Sequence, residues 1–237
     1  MSGHSKWKTI KHKKAATDAQ KAKKYTKLIK DITVAARSGG GETANNPHLR
    51  MLLEKARKAN MPQENAVRAV KKGTGELPGV QYETHHYEGY GPAGIAVIVD
   101  VLTDNKNRAV SEVRTVFTRK GGSLGETGSV NWMFERKGVV KCKGTTTEDA
   151  LLEALFEYNI ADISHDEDIW TITGDTSDLE AVKNTVQKMG LAIEDAEIEW
   201  VAKTDVEVPE DKQEQAVDFL SALEDLEDVQ HVFTNLA

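Results

Sequence analysis

The stretch from Val139 to Val201 constrains the fold more than any other, because its hydrophobic spacing alternates between two periods. Strand-like alternation occurs at its start, on both sides of a turn at 165–167, and at its end. Segments with helical spacing follow the first strand and precede the last one. This order, β-α-β-β-α-β, is that of the ferredoxin-like fold. The sequence therefore predicts a ferredoxin-like domain at 136–202.

Two short sequence boxes predict where the helices of this domain begin. Thr145 and Glu148 have the Ser/Thr-x-x-Glu spacing of a capping box, and so do Ser177 and Glu180. In such a box a hydroxyl accepts a hydrogen bond from a backbone N–H that the helix leaves unpaired. The first of the two boxes precedes four apolar side chains: Leu151, Leu152, Leu155 and Phe156.

The residues before this domain have the pattern of a second α/β unit that lacks two elements. Strands and a helix are predicted at 80–87, 94–103, 108–120 (the helix) and 129–135. Within the last strand, Val130, Trp132 and Phe134 would share one face. The missing helix and strand are present in the tail, at 209–226 and 229–234. We therefore expect a discontinuous domain into which the ferredoxin-like domain is inserted.

The first 79 residues differ from the rest in both charge and hydrophobic period. Met1–Gly75 carries 18 Lys or Arg and 5 Asp or Glu, whereas the remainder carries 13 and 33. Helical spacing from Thr17 on, with two short breaks, predicts three helices. The expected fold class is α+β, an N-terminal three-helix domain followed by two ferredoxin-like α/β domains, one inserted in the other. The predicted domains are 1–79, 80–135 plus 203–237, and 136–202.

Lysines crowd the first thirty residues, which contain a single acid, Asp18. Trp7 and Tyr25 lie in this run, so phosphate neutralisation could combine with base stacking. A well-solvated lysine face is the plainer explanation. Nucleic acid is favoured because the charge asymmetry extends past the run to Gly75. The lysines predicted to bind are Lys6, Lys8, Lys11, Lys13, Lys14, Lys21, Lys23, Lys24, Lys27 and Lys30.

A second, weaker basic cluster lies in the predicted middle domain and consists of Lys106, Arg108 and Arg114. A secondary nucleic-acid contact is one interpretation. A solvated helix face, with basic charge favoured near the C-terminus of the helix, is the other. The sequence leaves both open.

Motifs that would indicate catalysis, a cofactor or a metal are absent or in the wrong context. Gly89–Gly94 matches the dinucleotide pattern G-x-G-x-x-G, but a strand rather than a helix follows it, so a tight turn is expected. Asp162–Asp168 gathers oxygen ligands, but Glu167 stands where a calcium loop needs glycine. The expectation is a protein without enzymatic activity, cofactor or metal.

Cys142 is the only cysteine, which excludes an intrachain disulfide and fits a reducing compartment. Neither an apolar leader nor a run long enough to span a bilayer is present. The expected location is the cytoplasm, with no membrane partner, and a monomer is expected.

Three long motifs resemble those of one family: GHSKWKTIKHKKAA, EGYGPAGIAVIVDVLTDNKNRAVSEVR and GGSLGETGSVNWMF. Together they are similar to the YebC family of bacterial and mitochondrial proteins. The resemblance implies a helical N-terminal domain and two α/β domains in a crescent. It also implies that a basic N-terminal arm, residues 1–16, contacts nucleic acid. The residues implied are Lys6, Trp7, Lys8, Lys11, His12, Lys13 and Lys14.

The function implied by this resemblance is regulation of gene expression without catalysis. Some members are described as DNA-binding transcription regulators, and others as translational activators at the ribosome or on mRNA. Lysines neutralise phosphate without identifying a base, so DNA and ribosomal or messenger RNA both stay open as partners. We expect a DNA-binding transcriptional regulator, with a ribosome-associated translation factor as the alternative. A protein–protein regulator that uses its acidic surface is the third interpretation.

Overall fold

The computed structural model describes residues 18–237. Three helices come first: α1 (Asp18–Gly39), α2 (Pro47–Lys58) and α3 (Gln63–Gly73). Asn46 links the first two, because its side-chain oxygen accepts from the backbone N–H of Leu49 and its amide donates to two carbonyls near the end of α1. The buried faces of the three helices meet in one core around Ile32 and Leu52.

The second part of the chain alternates strands and helices. In chain order these are β1 (Glu83–Tyr90), β2 (Ala96–Thr103), α4 (Lys106–Arg119), β3 (Ser123–Leu124), β4 (Phe134–Lys143), α5 (Glu148–Ala154), β5 (Ile160–Asp166), β6 (Ile169–Gly174), α6 (Leu179–Lys188), β7 (Ala192–Ala202), α7 (Glu210–Glu224) and β8 (Val229–Thr234). Short 3₁₀ turns precede β2, β4 and α6.

The first sheet has the strand order β3-β1-β2-β8. β8 pairs antiparallel with β2, so the last strand of the chain completes a sheet that begins at Glu83. Side chains of α4 and α7 pack into the same core, where the rings of Phe117 and Phe219 meet edge to face at 5.0 Å. The tail therefore supplies both a strand and a helix to this domain.

The second sheet has the order β5-β6-β4-β7, which is the ferredoxin-like arrangement. Its core joins Cys142 and Ile172 of the sheet to Leu151 of α5 and Val186 of α6. All four strands lie in the sequence between β3 and β8 of the first sheet. The predicted α+β class is confirmed: three helices are followed by two four-stranded antiparallel sheets, one inserted in the other.

The predicted strand at 129–135 is wrong. Asn131–Met133 is a 3₁₀ turn, and β4 begins at Phe134, where it pairs with β7 of the second sheet. The third strand of the first sheet is instead the short β3, next to β1. Val130 and Phe134 are buried as the pattern indicated, but Trp132 is 63% exposed. A buried carboxylate of β1 binds the backbone of this segment and keeps it from pairing as a strand.

Both predicted capping boxes are misplaced, although the two helices are present. α5 begins after Thr147, whose hydroxyl accepts from a backbone N–H in the first turn. Ser177 lies in a 3₁₀ turn, and α6 begins after Asp178 without a side-chain cap. Leu152 lies within α5 and is 47% exposed, and Phe156, which lies beyond the end of α5, is 89% exposed. The three domain bounds stay predictions.

Candidate nucleic-acid interface

The lysines predicted to bind nucleic acid are only partly within the described residues. The seven predicted contacts of the arm lie outside the described residues: Lys6, Trp7, Lys8, Lys11, His12, Lys13 and Lys14. The other five are on α1, and their environments differ. Lys21, Lys23 and Lys24 are exposed, Lys27 is half-buried and Lys30 is buried. The start of α1 is therefore accessible to a ligand, whereas its middle is not.

Lys30 belongs to an internal ion-pair network. Its ammonium donates to the carboxylate of Asp228 at 2.6 Å, and the two side chains are only 6% and 3% exposed. The second carboxylate oxygen accepts from the hydroxyl of Thr103 and from the guanidinium of Arg108, each at 2.8 Å. Burial acts to raise the pKa of Asp228, but these hydrogen bonds outweigh it and lower the pKa. Lys30 connects α1 to the residue before β8 through this buried ion pair, so we do not propose it as a nucleic-acid contact.

Two other lysines of α1, Lys23 and Lys27, also face the tail of the chain. Lys27 donates to the backbone carbonyl of Glu224 at 2.8 Å. Lys23 lies 3.7 Å from the carboxylate of Asp225, and both of these side chains are half-exposed. An exposed pair of this kind is weak and exchanges partners readily. Lys23 thus remains able to bind a phosphate, whereas Lys27 is partly committed to docking.

α2 contacts the second sheet through a separate set of charges. Lys55 lies 2.9 Å from Asp195 and 2.6 Å from Glu197, two carboxylates of β7. Burial acts to raise the pKa of Glu197, but Lys55 and His231 more than offset it and lower the pKa to about 2. This contact and the Lys30 network attach the helical domain to both acidic sheet domains.

A cleft of about 430 Å³ opens beside the Lys55 contact, between the helices and the two sheets. Its walls include Asp31 of α1, Leu102 of β2, Ile198 of β7 and His231 of β8. Burial is the main cause that raises the pKa of the Asp31 carboxyl to about 6. The junction of the three domains therefore contains a carboxyl group that titrates near neutral pH.

The secondary cluster is also divided by the structure. Lys106 and Arg114 are exposed on α4, and the side chain of Arg108 is 45% exposed. The guanidinium of Arg108 lies 2.9 Å from Asp104 and 2.8 Å from Asp228, so this side chain completes the network around Lys30. Lys106 and Arg114 stay predicted contacts, whereas the guanidinium of Arg108 is already held by two carboxylates.

The outer surface of the helical domain carries a net positive charge. Residues 18–75 contain 13 Lys or Arg and 5 Asp or Glu, a net charge of +8. Exposed cations lie on all three helices: Lys21, Lys24, Arg50, Arg57, Arg68 and Lys71. The last four were not assigned from the sequence, although the helical period places them opposite buried positions such as Leu49 and Ala69.

The two remaining motifs, Gly89–Gly94 and Asp162–Asp168, both lie at turns between strands. The turn Gly89–Gly94 joins β1 to β2 through a 3₁₀ turn, and Ala93 has a left-handed backbone with φ 58°, so the predicted tight turn is confirmed. Among the described residues, no three His, Cys, Asp or Glu side chains are grouped to hold a metal. Within the same range, no helix is long and apolar enough to cross a membrane.

Two family descriptions match the chain on either side of the link between the helices and the sheets. "TACO1/YebC protein N-terminal domain" matches residues 5–76, and "TACO1/YebC second and third domain" matches residues 82–236. The chain belongs to the TACO1/YebC family. The resemblance of the three sequence motifs to the YebC family is thereby confirmed.

Relatives in the TACO1/YebC family are similar over their whole length. A protein of Chloroherpeton thalassium is 50% identical over 238 residues, which cover 100% of this chain and 95% of the relative. A protein of Chlorobium phaeovibrioides is 48% identical over 238 residues, which also cover 100% of this chain and 95% of the relative. Both are named "Probable transcriptional regulatory protein". The crystal structure of a conserved hypothetical protein from Aquifex aeolicus superposes with a TM-score of 0.86 at 46% identity, covering 96% of this chain and 95% of that one.

Proposed function

We propose that this protein regulates gene expression by binding nucleic acid, without catalysing a reaction, and that its partner is duplex DNA. The basic arm and the outer face of the three helices would contact the phosphate backbone. The observation that carries the proposal is the +8 charge of residues 18–75, much of which lies on exposed side chains after the internal ion pairs are set aside. The arm adds five lysines to it.

The distribution of charge supports a polyanionic partner. Residues 136–202 contain 6 Lys or Arg and 15 Asp or Glu, so the inserted domain would repel phosphate. A nucleic acid would therefore meet the molecule at its helical end. The names of the family relatives, which refer to transcriptional regulation, are consistent with this function.

The contacts would fix position on the backbone and would not read bases directly. Lysine neutralises phosphate as a point charge, and each neutralised phosphate releases counterions from the duplex. If the five arm lysines each contact one phosphate, log K should fall with log salt at a slope of about −4.5. Raising the salt from ~50 to ~200 mM should then cost roughly two to three decades of affinity.

The test measures duplex binding against salt for the full chain and for a variant with Lys6, Lys8, Lys11, Lys13 and Lys14 replaced by glutamine. The slope should flatten by several units because the counterion release is lost. A matched pair of double variants, Lys13→Gln/Lys14→Gln and Lys188→Gln/Lys212→Gln, removes equal charge at the arm and at exposed sites far along the chain. Equal slopes for the two would refute the assignment of the arm.

A second experiment separates DNA from RNA. Genome-wide DNA crosslinking and ribosome co-sedimentation, done on the same cells, should give DNA sites and no ribosome-bound fraction. The reverse result would make the protein a ribosome-associated translation factor that binds RNA. The cytoplasmic location and the monomeric state are part of this proposal.

A further inference from the structure

The segment between β3 and β4, residues 125–133, is held in place by one buried carboxylate and is called here the aromatic loop. Glu88 of β1 is 6% exposed and accepts hydrogen bonds from the backbone N–H groups of Gly128, Val130 and Asn131, each at 2.9 Å. Burial acts to raise the pKa of Glu88, but these three bonds lower it below its usual value. The loop is therefore anchored by an ionised group beneath it.

This anchored loop presents an aromatic surface. Trp132 is 63% exposed, and its indole N–H donates to the backbone carbonyl of Ser129 at 3.1 Å. Tyr90, at the end of β1 and 38% exposed, donates its hydroxyl to the same carbonyl at 3.2 Å. Two rings thus share one acceptor, which limits their orientations before any ligand arrives.

The charge near the loop distinguishes it from the other strongly exposed aromatic residue. Lys203 donates to the backbone carbonyl of Trp132 at 2.9 Å, so an ammonium group lies close to this residue, and the same ammonium is 4.0 Å from the carboxylate of Glu135. Phe156 is even more exposed, but it follows α5, has the acids Glu153 and Glu157 as sequence neighbours, and lies in a stretch without Lys or Arg between Lys143 and Lys183. A polyanion would be repelled at Phe156 and tolerated at Trp132.

We propose that Trp132 and Tyr90 form a stacking platform for unpaired bases of a single-stranded nucleic acid, with Lys203 positioned for a neighbouring phosphate. Aromatic side chains bind single strands because each base offers a π-face, and bases within a duplex cover one another's faces. This inference rests on the proposed function and adds to it a second contact, of a different kind, on the first sheet domain. Unwound DNA and single-stranded RNA have the same stacking chemistry.

The test uses the full chain and fluorescently labelled oligo(dT), oligo(rU) and a duplex of equal length. Trp132→Ala should weaken binding to one or both single strands by about 5- to 150-fold, the range seen when one stacked base is lost. The salt slope should stay unchanged, because stacking releases no counterions. Trp132→Phe, which keeps a ring, should recover most of the affinity, and duplex binding should not change.

Phe156→Ala is the matched control, since it removes an even more exposed ring from acidic surroundings. Circular dichroism and thermal unfolding of each variant verify that the fold is kept. The inference is overturned if Trp132→Ala binds single strands like the wild type, or if Phe156→Ala loses as much. It is also overturned if duplex binding falls in parallel. If the wild type binds none of the three probes, the proposed function itself fails.

Discussion

The helical domain is attached to the two sheet domains by contacts of the same chemistry but different burial. At the first sheet, Lys30 and Asp228 are 6% and 3% exposed, and their charges are removed from water. At the second sheet, Lys55 is 28% exposed and lies between two carboxylates that are also partly solvated. The difference implies that the first contact determines whether the domain stays docked, whereas the second responds to pH and salt.

The largest loss of stability is expected at the buried contact between Lys30 and Asp228. Lys30→Ala should lower the free energy of unfolding by about 3 kcal/mol, because Asp228 would stay buried with Arg108 and Thr103 as its remaining partners. Urea unfolding followed by circular dichroism measures the loss. Lys24→Ala, which removes an exposed lysine of the same helix, should cost about 0.5 kcal/mol or less. Similar losses for both variants would contradict the comparison.

A pH effect of intermediate size is expected at the cleft beside the second contact. The pKa of Asp31 is raised from 3.8 to about 6, so the folded protein binds more protons than the unfolded chain between these values. Stability should therefore fall as the pH rises from about 4 to about 6, by roughly 1–2 kcal/mol. Thermal unfolding at a series of pH values shows this trend.

Asp31→Asn removes the titrating group and leaves the shape of the cleft almost unchanged. The variant should be more stable than the wild type above pH 6 and equal to it near pH 4. Glu197, with a pKa lowered to about 2, contributes in the opposite sense, and its stabilisation is lost only below about pH 4.5. A variant with the same slope as the wild type between pH 4 and 6 would mean that Asp31 does not cause it.

The smallest loss of stability is expected at the partly solvated contact of Lys55 with Asp195 and Glu197. Lys55→Ala should lower the free energy of unfolding by about 1 kcal/mol at low salt, and by less at high salt, because water and ions screen this contact. The salt dependence of the difference between wild type and variant is the measurement. A loss as large as that of Lys30→Ala would show that burial does not separate the two contacts.

The order of elements was predictable from the sequence because it depends on local spacing. The β-α-β-β-α-β pattern of the inserted domain is readable over a few residues at a time, and so are the helix and the strand of the tail. The aromatic loop was not predictable. Val130 and Trp132 of the loop alternate with Phe134 of β4 and so imitate a strand. The carboxylate that anchors the loop lies far back in the sequence, on Glu88.

The sequence predicts that the helical domain is positively charged, but it does not show which of its lysines are exposed. Lys24 and Lys30 belong to the same lysine-rich helix, yet one is exposed and the other is buried against Asp228, 198 residues further along the chain. No local pattern shows such a partner. The outward cations of α2 and α3 could have been assigned, because each lies opposite a buried apolar position of its helix.

The position of β8 has a consequence for the order in which the newly made chain can fold. The inserted domain has all its strands by Ala202, but the first sheet lacks its outer strand until Val229–Thr234 has been synthesised. Asp228, the partner of Lys30, is also made in that last stretch. Lys30 of α1 therefore reaches its buried partner only when nearly the last residues have been made. Completion of the chain removes the ammonium of Lys30 from water.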